Sequence, residues 1–153
     1  MMNLLKGNLF DDKSDALVNT INCFGAMGKG IALEFKNKFP DMFAKYKEDC
    51  ANNLVQVGKM NVWENPNGNP KWIINFPTKH HWKYNSRMEW IVEGLQDLVE
   101  VIKEKGITSI GIPPLGCGNG KLIWAQVLNE IKRVHDHHWK DIQVNIYEPT
   151  TPY

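Results

Sequence analysis

"DALVNTINCFGAMGKGIALEF", residues 15–35, is the stretch that decides the fold of this chain. Its first part is an apolar, partly β-branched run that predicts a buried strand ending near Asn22. Gly25, Gly28 and Gly30 follow, and after Gly30 the apolar spacing changes to that of a short helix. A strand that leads through a glycine-rich loop (residues 23–29, the first glycine loop) into a helix is typical of α/β domains. In such domains ligands bind at the carboxyl ends of the strands.

The same transition returns in "SIGIPPLGCGNGKLIWAQV", residues 109–127, whose residues 114–120 we call the second glycine loop. Glycine lets the backbone approach a ligand closely, and a helix N-terminus offers free N–H groups with a partial positive charge. Two such loops therefore favour a ligand with two phosphates or a diphosphate, although each can also be a structural turn with a helix cap. Neither loop has the spacing of a dinucleotide fingerprint or a P-loop, which disfavours magnesium-dependent nucleotide hydrolysis.

The remaining sequence alternates strands with helices. Strands are predicted over 3–9, 15–22, 53–65, 71–77, 107–113 and 141–149, and helices over 30–38, 40–52, 86–105 and 121–138. The third helix shows the clearest signals, because Ser86 and Glu89 form a capping-box pattern at its start and Gly106 is placed to end it. This alternation predicts an α/β domain with a largely parallel sheet covered by helices on both faces.

Composition limits the class of protein. The chain has 153 residues, 42% of them hydrophobic, and a formal net charge of +1, so we expect one domain over 1–153 without global attraction to nucleic acid or membranes. No apolar run approaches the roughly 18 residues of a membrane span. Cysteines at 23, 50 and 117 share no short spacing, which favours reduced thiols in the cytoplasm.

Several polar residues are candidates for chemistry with simple alternatives. Cys23 and Cys117 lie within the glycine loops and are possible nucleophiles, although neither has a base beside it in sequence. The histidines of residues 135–138 end a helix, where imidazoles complement the helix dipole, and we expect no metal site there. Asp11 and Asp12 are interpreted as a solvated turn.

"NFPTKHHWKYNSR", residues 75–87, combines basic and aromatic residues where the fourth strand ends. Burial near Phe76 and Trp82 would lower the pKa of Lys79 and make its amine nucleophilic. The same segment has the composition of a single-strand contact, in which cations meet phosphates and rings stack on bases: His80, His81, Trp82, Lys83 and Arg87. On residue chemistry alone, an exposed polar loop is the simpler interpretation.

Four stretches together resemble the macrodomain family over nearly the whole chain. They are "VNTINCFGAMGKGIALEFKNKFP" (18–40), "INFPTKHHW" (74–82), "IPPLGCGNGKLIW" (112–124) and "IYEP" (146–149). Within the family, "MGKGIA" and "NFPTK-x-HW" are similar to the DarG-like antitoxin subgroup, which reverses ADP-ribosylation of DNA by a DarT-like toxin. The resemblance implies a three-layer α/β/α sandwich around a mixed, largely parallel sheet. Such antitoxins normally continue into a toxin-binding domain, so the chain is either one domain of a longer protein or an enzyme by itself.

The resemblance also implies a site. The first glycine loop would embrace the distal ribose of ADP-ribose with help from Asn22, the second would hold the diphosphate, and Lys79 would be the catalytic residue. Asn8 stands where many macrodomains carry the aspartate that reads adenine, and Gly120 stands where a related eukaryotic glycohydrolase carries its second-step aspartate. The full set of implied ADP-ribose contacts is Asn8, Leu9, Thr20, Asn22, Gly28, Lys29, Gly30, Ile31, Pro77, Thr78, Gly116, Cys117, Gly118, Asn119, Gly120 and Tyr147.

The implied function is an ADP-ribosyl glycohydrolase that removes ADP-ribose from a nucleobase, thymine in single-stranded DNA. It would act as a monomer and without a cofactor, with ADP-ribose as its product. Two other classes use the same loops. One is a reader that binds ADP-ribose without turnover, and the other is a hydrolase of ADP-ribosylated protein or of ADP-ribose 1″-phosphate.

Overall fold

The computed structural model describes residues 1–150. Apolar β-branched runs form the strands, and these are β1 (Met2–Leu5), β2 (Ala16–Asn22), β3 (Asn61–Glu64), β4 (Trp72–Lys79), β5 (Ser109–Ile112) and β6 (Gln143–Tyr147). The helices are α1 (Gly30–Lys38), α2 (Pro40–Ala51), α3 (Met88–Lys105) and α4 (Trp124–His138), with a single 3-10 turn at Leu9–Asp11. In this described part, no helix is both long enough and apolar enough to cross a membrane.

The six strands form one sheet in the order β1-β6-β5-β2-β4-β3. Every neighbouring pair is parallel except β3 with β4, which is antiparallel. Helices α1 and α2 cover one face of this sheet, and α3 and α4 cover the other. The mixed, largely parallel sheet of the α/β/α sandwich is therefore confirmed.

Alternation along each strand divides the apolar side chains between two cores. Val18 and Ile74 pack with α3 and α4, whereas their neighbours Leu17 and Ile73 pack with α1 and α2. Both strands are buried on both faces, as central parallel strands are. Each fully buried aliphatic side chain contributes roughly 1.5–3 kcal/mol to folding, so the two cores hold the strand ends in fixed positions.

A chain of hydrogen-bonded polar side chains crosses the core between the sheet and helices α1 and α2. It fixes the register of three strands. The amide of Asn19 in β2 donates to Asn75 in β4 at 3.1 Å, and Asn75 donates to Asn61 in β3, also at 3.1 Å. Asn61 then donates to the Asp49 carboxylate of α2 at 2.9 Å. Because a one-residue slip would leave these buried groups unpaired, this chain of hydrogen bonds specifies the observed pairing.

Several predicted element boundaries are wrong, including the strand predicted over 3–9, which ends at Leu5. Ser86 does not cap α3, since its backbone N–H donates to the Gly120 carbonyl at 2.9 Å and the helix begins two residues later. The strand predicted over 53–65 is confined to β3, because the chain first turns after α2. The predicted end of α3 is confirmed, with Gly106 in the left-handed conformation at φ 64°.

Candidate active site

An open cleft of about 900 Å³ lies at the carboxyl ends of the parallel strands. Loops that follow five of the six strands form its walls, so segments distant in sequence meet at one edge of the sheet. The predicted catalytic Lys79 lines it, and so do nearly all predicted ADP-ribose contacts: Asn8, Leu9, Thr20, Asn22, Gly28, Lys29, Gly30, Ile31, Thr78, Gly116, Cys117, Gly118, Asn119, Gly120 and Tyr147. Pro77 is the exception, because this residue is buried inside β4 and does not line the cleft, and its contact with ADP-ribose stays a prediction.

Sequence reasoning missed other residues of the cleft wall. They include Phe10, Ala26, Ala32, Glu34, Pro113, Lys121 and Glu148. Lys121 was open to prediction, because it continues the second glycine loop and carries a charge suited to phosphate. Glu148 could not be predicted as a cleft residue, because no glycine or charge pattern marks the residues after the last strand.

The Asn22 side chain organises the first glycine loop. Its Oδ1 accepts hydrogen bonds from the backbone N–H groups of Phe24, Gly25 and Ala26, at 3.0, 3.2 and 3.4 Å. Its Nδ2 donates to the Ala26 carbonyl at 2.9 Å, and the buried Tyr46 hydroxyl donates to Oδ1 at 2.9 Å. The amide is thus engaged on both sides in holding the loop, and its contact with a ribose stays a prediction.

Helix α1 begins at this loop with free N–H groups. Lys29 occupies the N-cap position in an extended conformation, and its side chain makes no capping hydrogen bond. The cap position and the first helical residues, Gly30 and Ile31, line the cleft. Uncapped N–H groups and the positive end of the helix dipole make this corner suited to an anion such as phosphate.

The second glycine loop is closed by its own backbone. The N–H of Leu122 donates to the Gly116 carbonyl at 2.9 Å, and the N–H of Lys121 donates to the Gly118 carbonyl at 3.3 Å. Gly116 has φ 70°, a conformation that favours glycine. Helix α4 begins only at Trp124, later than predicted, and its first turn does not line the cleft. An anion here would therefore meet loop backbone and not a helix N-terminus, which corrects the prediction for this loop.

A β-bulge brings the end of β4 to the cleft. Ile21 pairs with Pro77 and Asn22 pairs with Lys79, so Thr78 has no partner of its own on β2. Bulges bend a strand and re-aim its side chains. Both Thr78 and Lys79 consequently line the cleft, although they are adjacent in the strand.

Lys79 lines the cleft and connects the segment after β4 to the second glycine loop. Its Nζ donates to the backbone carbonyls of Trp82 at 3.1 Å and Asn119 at 3.5 Å, and the residue is only 9% exposed. Burial lowers the pKa of the Lys79 amine, and the positive charges of Lys29 and Lys121 lower it further. A lysine of this kind reaches its neutral, nucleophilic form more readily than an exposed lysine does.

Both glycine loops and this lysine fall inside one sequence family. The family model described as Macro domain matches residues 18–131, a span that includes both loops and Lys79. The chain belongs to the macrodomain family. The family resemblance seen in the sequence is thereby confirmed.

Several known macrodomain proteins are similar to this chain. The DNA ADP-ribosyl glycohydrolase of Thermus aquaticus is 45% identical over 150 residues, which are 97% of this chain and 41% of that protein. The chain thus spans about two fifths of the length of this curated relative. The macrodomain of Mycobacterium tuberculosis DarG matches with a TM-score of 0.95 at 43% identity, covering 98% of this chain and 99% of that one. Thermosipho africanus DarTG, solved in complex with ADP-ribose, matches with a TM-score of 0.89 at 32% identity, covering 97% of this chain and 42% of that one.

The macrodomain cannot carry a carboxylate at Gly120 without moving its backbone. A Cβ atom at this position would lie 2.4 Å from the Gly116 carbonyl oxygen and 2.3 Å from Ser86 Oγ. Position 120, where the resemblance led us to look for a second-step aspartate, is therefore closed to any side chain in this loop. Any proton transfer at this macrodomain site has to use other groups.

Asp12 lies outside the cleft wall and supports Tyr147, which lines it. Its Oδ2 accepts hydrogen bonds from the Tyr147 hydroxyl at 2.7 Å and the Asn145 amide at 3.0 Å. Burial acts to raise the pKa of Asp12, but hydrogen bonds from Ser14, Tyr147 and Asn145 outweigh it and lower the pKa. The predicted solvated turn is wrong for Asp12, because these partners lie far away in sequence.

The two cysteines of the glycine loops are free thiols, of which Cys117 is buried and Cys23 is half-buried. Burial raises the pKa of Cys117 to about 11, and its Sγ lies 3.5 Å from the Leu115 carbonyl oxygen. Burial and the neighbouring Cys50 raise the pKa of Cys23, also to about 11. Since the thiolate is the nucleophilic form, neither cysteine is suited to attack a substrate.

The basic aromatic segment divides into two groups. Its five residues predicted to contact nucleic acid are His80, His81, Trp82, Lys83 and Arg87, of which Trp82 alone lines the cleft. Lys83 and His81 pack against the Trp82 ring, next to the cleft. His80 and Arg87 instead pack on Trp90 of α3, and Arg87 is paired with Glu89 at 2.6 Å.

Proposed function

We propose that this macrodomain is a DNA ADP-ribosyl glycohydrolase that releases ADP-ribose from a modified base, thymine in single-stranded DNA. The observation that carries the proposal is Lys79, a buried lysine that contacts both glycine loops. Its Nζ donates to Asn119 and its carbonyl accepts from the N–H of Cys23, and its pKa is lowered by burial and nearby charge. Support also comes from the Thermus aquaticus relative, which is named for this activity. The ADP-ribose complex of Thermosipho africanus DarTG supports the choice of ligand.

In this proposal the loops position the substrate. The uncapped N–H groups at the start of α1 and the backbone of the second glycine loop hold the diphosphate from two sides. Lys29 and Lys121 add positive charge along the cleft wall. Such positioning places the anomeric carbon of the distal ribose near Lys79 and supplies a large share of the catalysis.

Lys79 acts on the bond between the ribose and the base by one of two routes. In the first, the neutral amine attacks the anomeric carbon, while the base nitrogen leaves with the electron pair of the broken bond and takes up a proton. The lysine nitrogen gives up a proton, and the ribose ring of this lysyl intermediate opens to an imine. Water adds to the imine, releases ADP-ribose and regenerates the amine. In the second route the lysine assists opening of the distal ribose, and no bond to the protein forms.

The test is release of ADP-ribose from an ADP-ribosylated oligonucleotide by wild type, Lys79→Ala and Lys79→Arg. We expect both variants to lose about 100-fold or more in rate, as removal of an acid–base or nucleophilic group does. Calorimetry with free ADP-ribose is the control, because Lys79 also ties Trp82 to Asn119. Lost turnover with retained ADP-ribose affinity supports the proposal, whereas unchanged release contradicts it.

Two additions sharpen the experiment. Borohydride reduction during turnover traps a covalent ADP-ribose adduct on Lys79 if the first route operates, and mass spectrometry detects it. A panel of ADP-ribosylated protein acids, ADP-ribosylated serine and ADP-ribose 1″-phosphate separates the proposed activity from the other hydrolase classes. Tight ADP-ribose binding with no turnover of any substrate identifies a reader instead.

We also propose that this activity opposes a DarT-like toxin in the cytoplasm. The match to DarTG supports a partner of this kind, and the free cysteines of the described residues suit a reducing compartment. We propose that this macrodomain acts as a monomer. The chemistry assigned to Lys79 requires no cofactor.

A further inference from the structure

Three exposed aromatic side chains gather beside the cleft. Within residues 1–150, Phe24, Trp82 and Tyr84 are the aromatic residues that stay largely exposed, at 59%, 51% and 66%. Phe24 belongs to the first glycine loop, whereas the other two follow β4. Folding normally leaves such rings at least half-covered, so three exposed rings in one place need a reason.

His81 joins these rings into one surface. Its imidazole lies 4.3 Å from the Phe24 ring, 5.2 Å from the Trp82 ring and 5.8 Å from the Tyr84 ring, measured between centroids. The N–H of Lys83 donates to His81 Nδ1 at 3.1 Å, which fixes the orientation of the imidazole. The surface is therefore formed before any ligand arrives.

This aromatic surface borders the reactive end of the cleft. The Trp82 carbonyl accepts a hydrogen bond from Lys79 Nζ at 3.1 Å. The N–H of Cys23, next to Phe24, donates to the Lys79 carbonyl at 3.2 Å. A group leaving the anomeric carbon near Lys79 would consequently lie close to the rings, while Phe24, His81 and Tyr84 remain outside the cleft wall itself.

The charge around the rings suits a phosphate backbone. Lys83 Nζ lies over the Trp82 ring at 5.6 Å from its centroid, and Lys29 and Lys121 follow along the cleft. Segments 19–33 and 77–88 contain no acidic residue. Arg87 adds little, because Glu89 already neutralises it. Cations interleaved with exposed rings are the arrangement that binds single-stranded nucleic acid.

We propose that Phe24, His81 and Tyr84 form a platform on which a nucleobase next to the modified base stacks, with Lys83 near the connecting phosphate. This inference rests on the proposed function and specifies its substrate further. A base in a duplex keeps its faces covered by its neighbours, so the platform selects single-stranded DNA. It also makes an oligonucleotide a better substrate than a modified nucleoside.

The test compares two substrates of the double variant Phe24→Ala/Tyr84→Ala. For an ADP-ribosylated oligonucleotide we expect KM to rise about tenfold or more, as loss of base stacking does. For ADP-ribosylated thymidine, which has no neighbouring base, we expect kcat and KM to stay at wild-type values. Phe24→Tyr/Tyr84→Phe should behave as wild type, because both rings remain. Leu54→Ala removes an equally exposed apolar side chain, 66% exposed, outside the platform and serves as the matched control.

Binding measurements separate this inference from the proposed function. Fluorescence anisotropy with an unmodified thymine oligonucleotide needs no turnover, and we expect single strands to bind more tightly than a duplex of that sequence. If wild type releases ADP-ribose but the double variant is unchanged, the platform is wrong and the activity stands. The platform is also wrong if the double variant loses activity equally on the oligonucleotide and on the nucleoside. Equal affinity of wild type for duplex and single-stranded DNA would contradict it as well. If wild type releases nothing from DNA, the activity is wrong, and the anisotropy result alone decides the platform.

Discussion

At the scale of the residue, Lys79 is held between opposing influences. Two backbone carbonyls accept hydrogen bonds from its ammonium group and favour the charged form. Burial and the charges of Lys29 and Lys121 favour the neutral form, and together they lower the pKa. The residue is therefore fixed in place while its proton remains removable, as a nucleophile or proton carrier requires.

The pH dependence of the rate tests this account. Removing the positive charges in Lys29→Gln/Lys121→Gln should raise the pKa of Lys79, because a repulsion that disfavours its charged form is lost. Less of the amine is then neutral at pH 7, and we expect kcat there to fall roughly threefold. Raising the pH should restore kcat, so the rising limb of the profile moves to higher pH.

Measuring kcat and KM separately controls for phosphate contacts of the two lysines. Loss of a contact made equally in ground and transition state raises KM and leaves the position of the kcat profile unchanged. A kcat profile identical to that of wild type would contradict the electrostatic role.

At the scale of the element, the second glycine loop depends on the absence of side chains. Gly120 lies against the Gly116 carbonyl and Ser86, and the Ser86 N–H in turn donates to the Gly120 carbonyl. The loop is thereby packed against the segment that precedes α3. Its shape follows from this contact as much as from its own sequence.

We expect Gly120→Ala to destabilise the fold by about 1–3 kcal/mol, the usual cost of overpacking, and to weaken ADP-ribose binding. The new Cβ would lie 2.4 Å from the Gly116 carbonyl oxygen, so the loop has to move. Thermal unfolding and calorimetry measure the two effects. Gly28→Ala is the matched control for stability, because a Cβ there meets no atom within 4 Å. If Gly120→Ala kept the stability and the ADP-ribose affinity of wild type, the loop would be able to move without cost, and this expectation would be wrong.

The elements show where sequence reasoning succeeds. Helix α3 and both glycine loops were predictable, because helical periodicity and glycine clusters are local signals. The capping box predicted at Ser86 is wrong, because the backbone N–H of Ser86 donates a hydrogen bond to the carbonyl of Gly120 in a distant loop. Asp12 was missed for the same reason, since its partners Asn145 and Tyr147 lie at the other end of the chain. Contacts between segments that are distant in sequence leave no periodic pattern of residues, so they could not be predicted from the sequence.

At the scale of the whole molecule, the cleft joins distant parts of the chain. Its walls contain residues from Asn8 near the start to Glu148 near the end of the described part. Leu9 and Tyr147 belong to one core, and Cys117 belongs to the other. The cleft is therefore lined by residues from both cores of the sandwich.

We therefore expect ADP-ribose to stabilise the entire fold. At a free concentration of 100 times its Kd, a ligand adds about 2.7 kcal/mol to the free energy of unfolding. For a domain of this size the Tm should rise by roughly 5–10 °C. Scanning calorimetry measures the shift, and ribose 5-phosphate, which lacks the adenosine and the diphosphate, should leave the Tm unchanged at the same concentration. An unchanged Tm with saturating ADP-ribose would contradict binding to the folded state.

The environment of Lys79 also bears on chemical probes. Acylating and aldehyde reagents modify only the neutral form of an amine, and exposed lysines are almost fully protonated near pH 7. Lys79 has a lowered pKa and lines an open cleft of about 900 Å³. A mild electrophile carried on an adenosine diphosphate scaffold should therefore label this lysine ahead of the surface lysines. The burial that lowers the pKa of this amine should therefore also make it a selective target for covalent labelling.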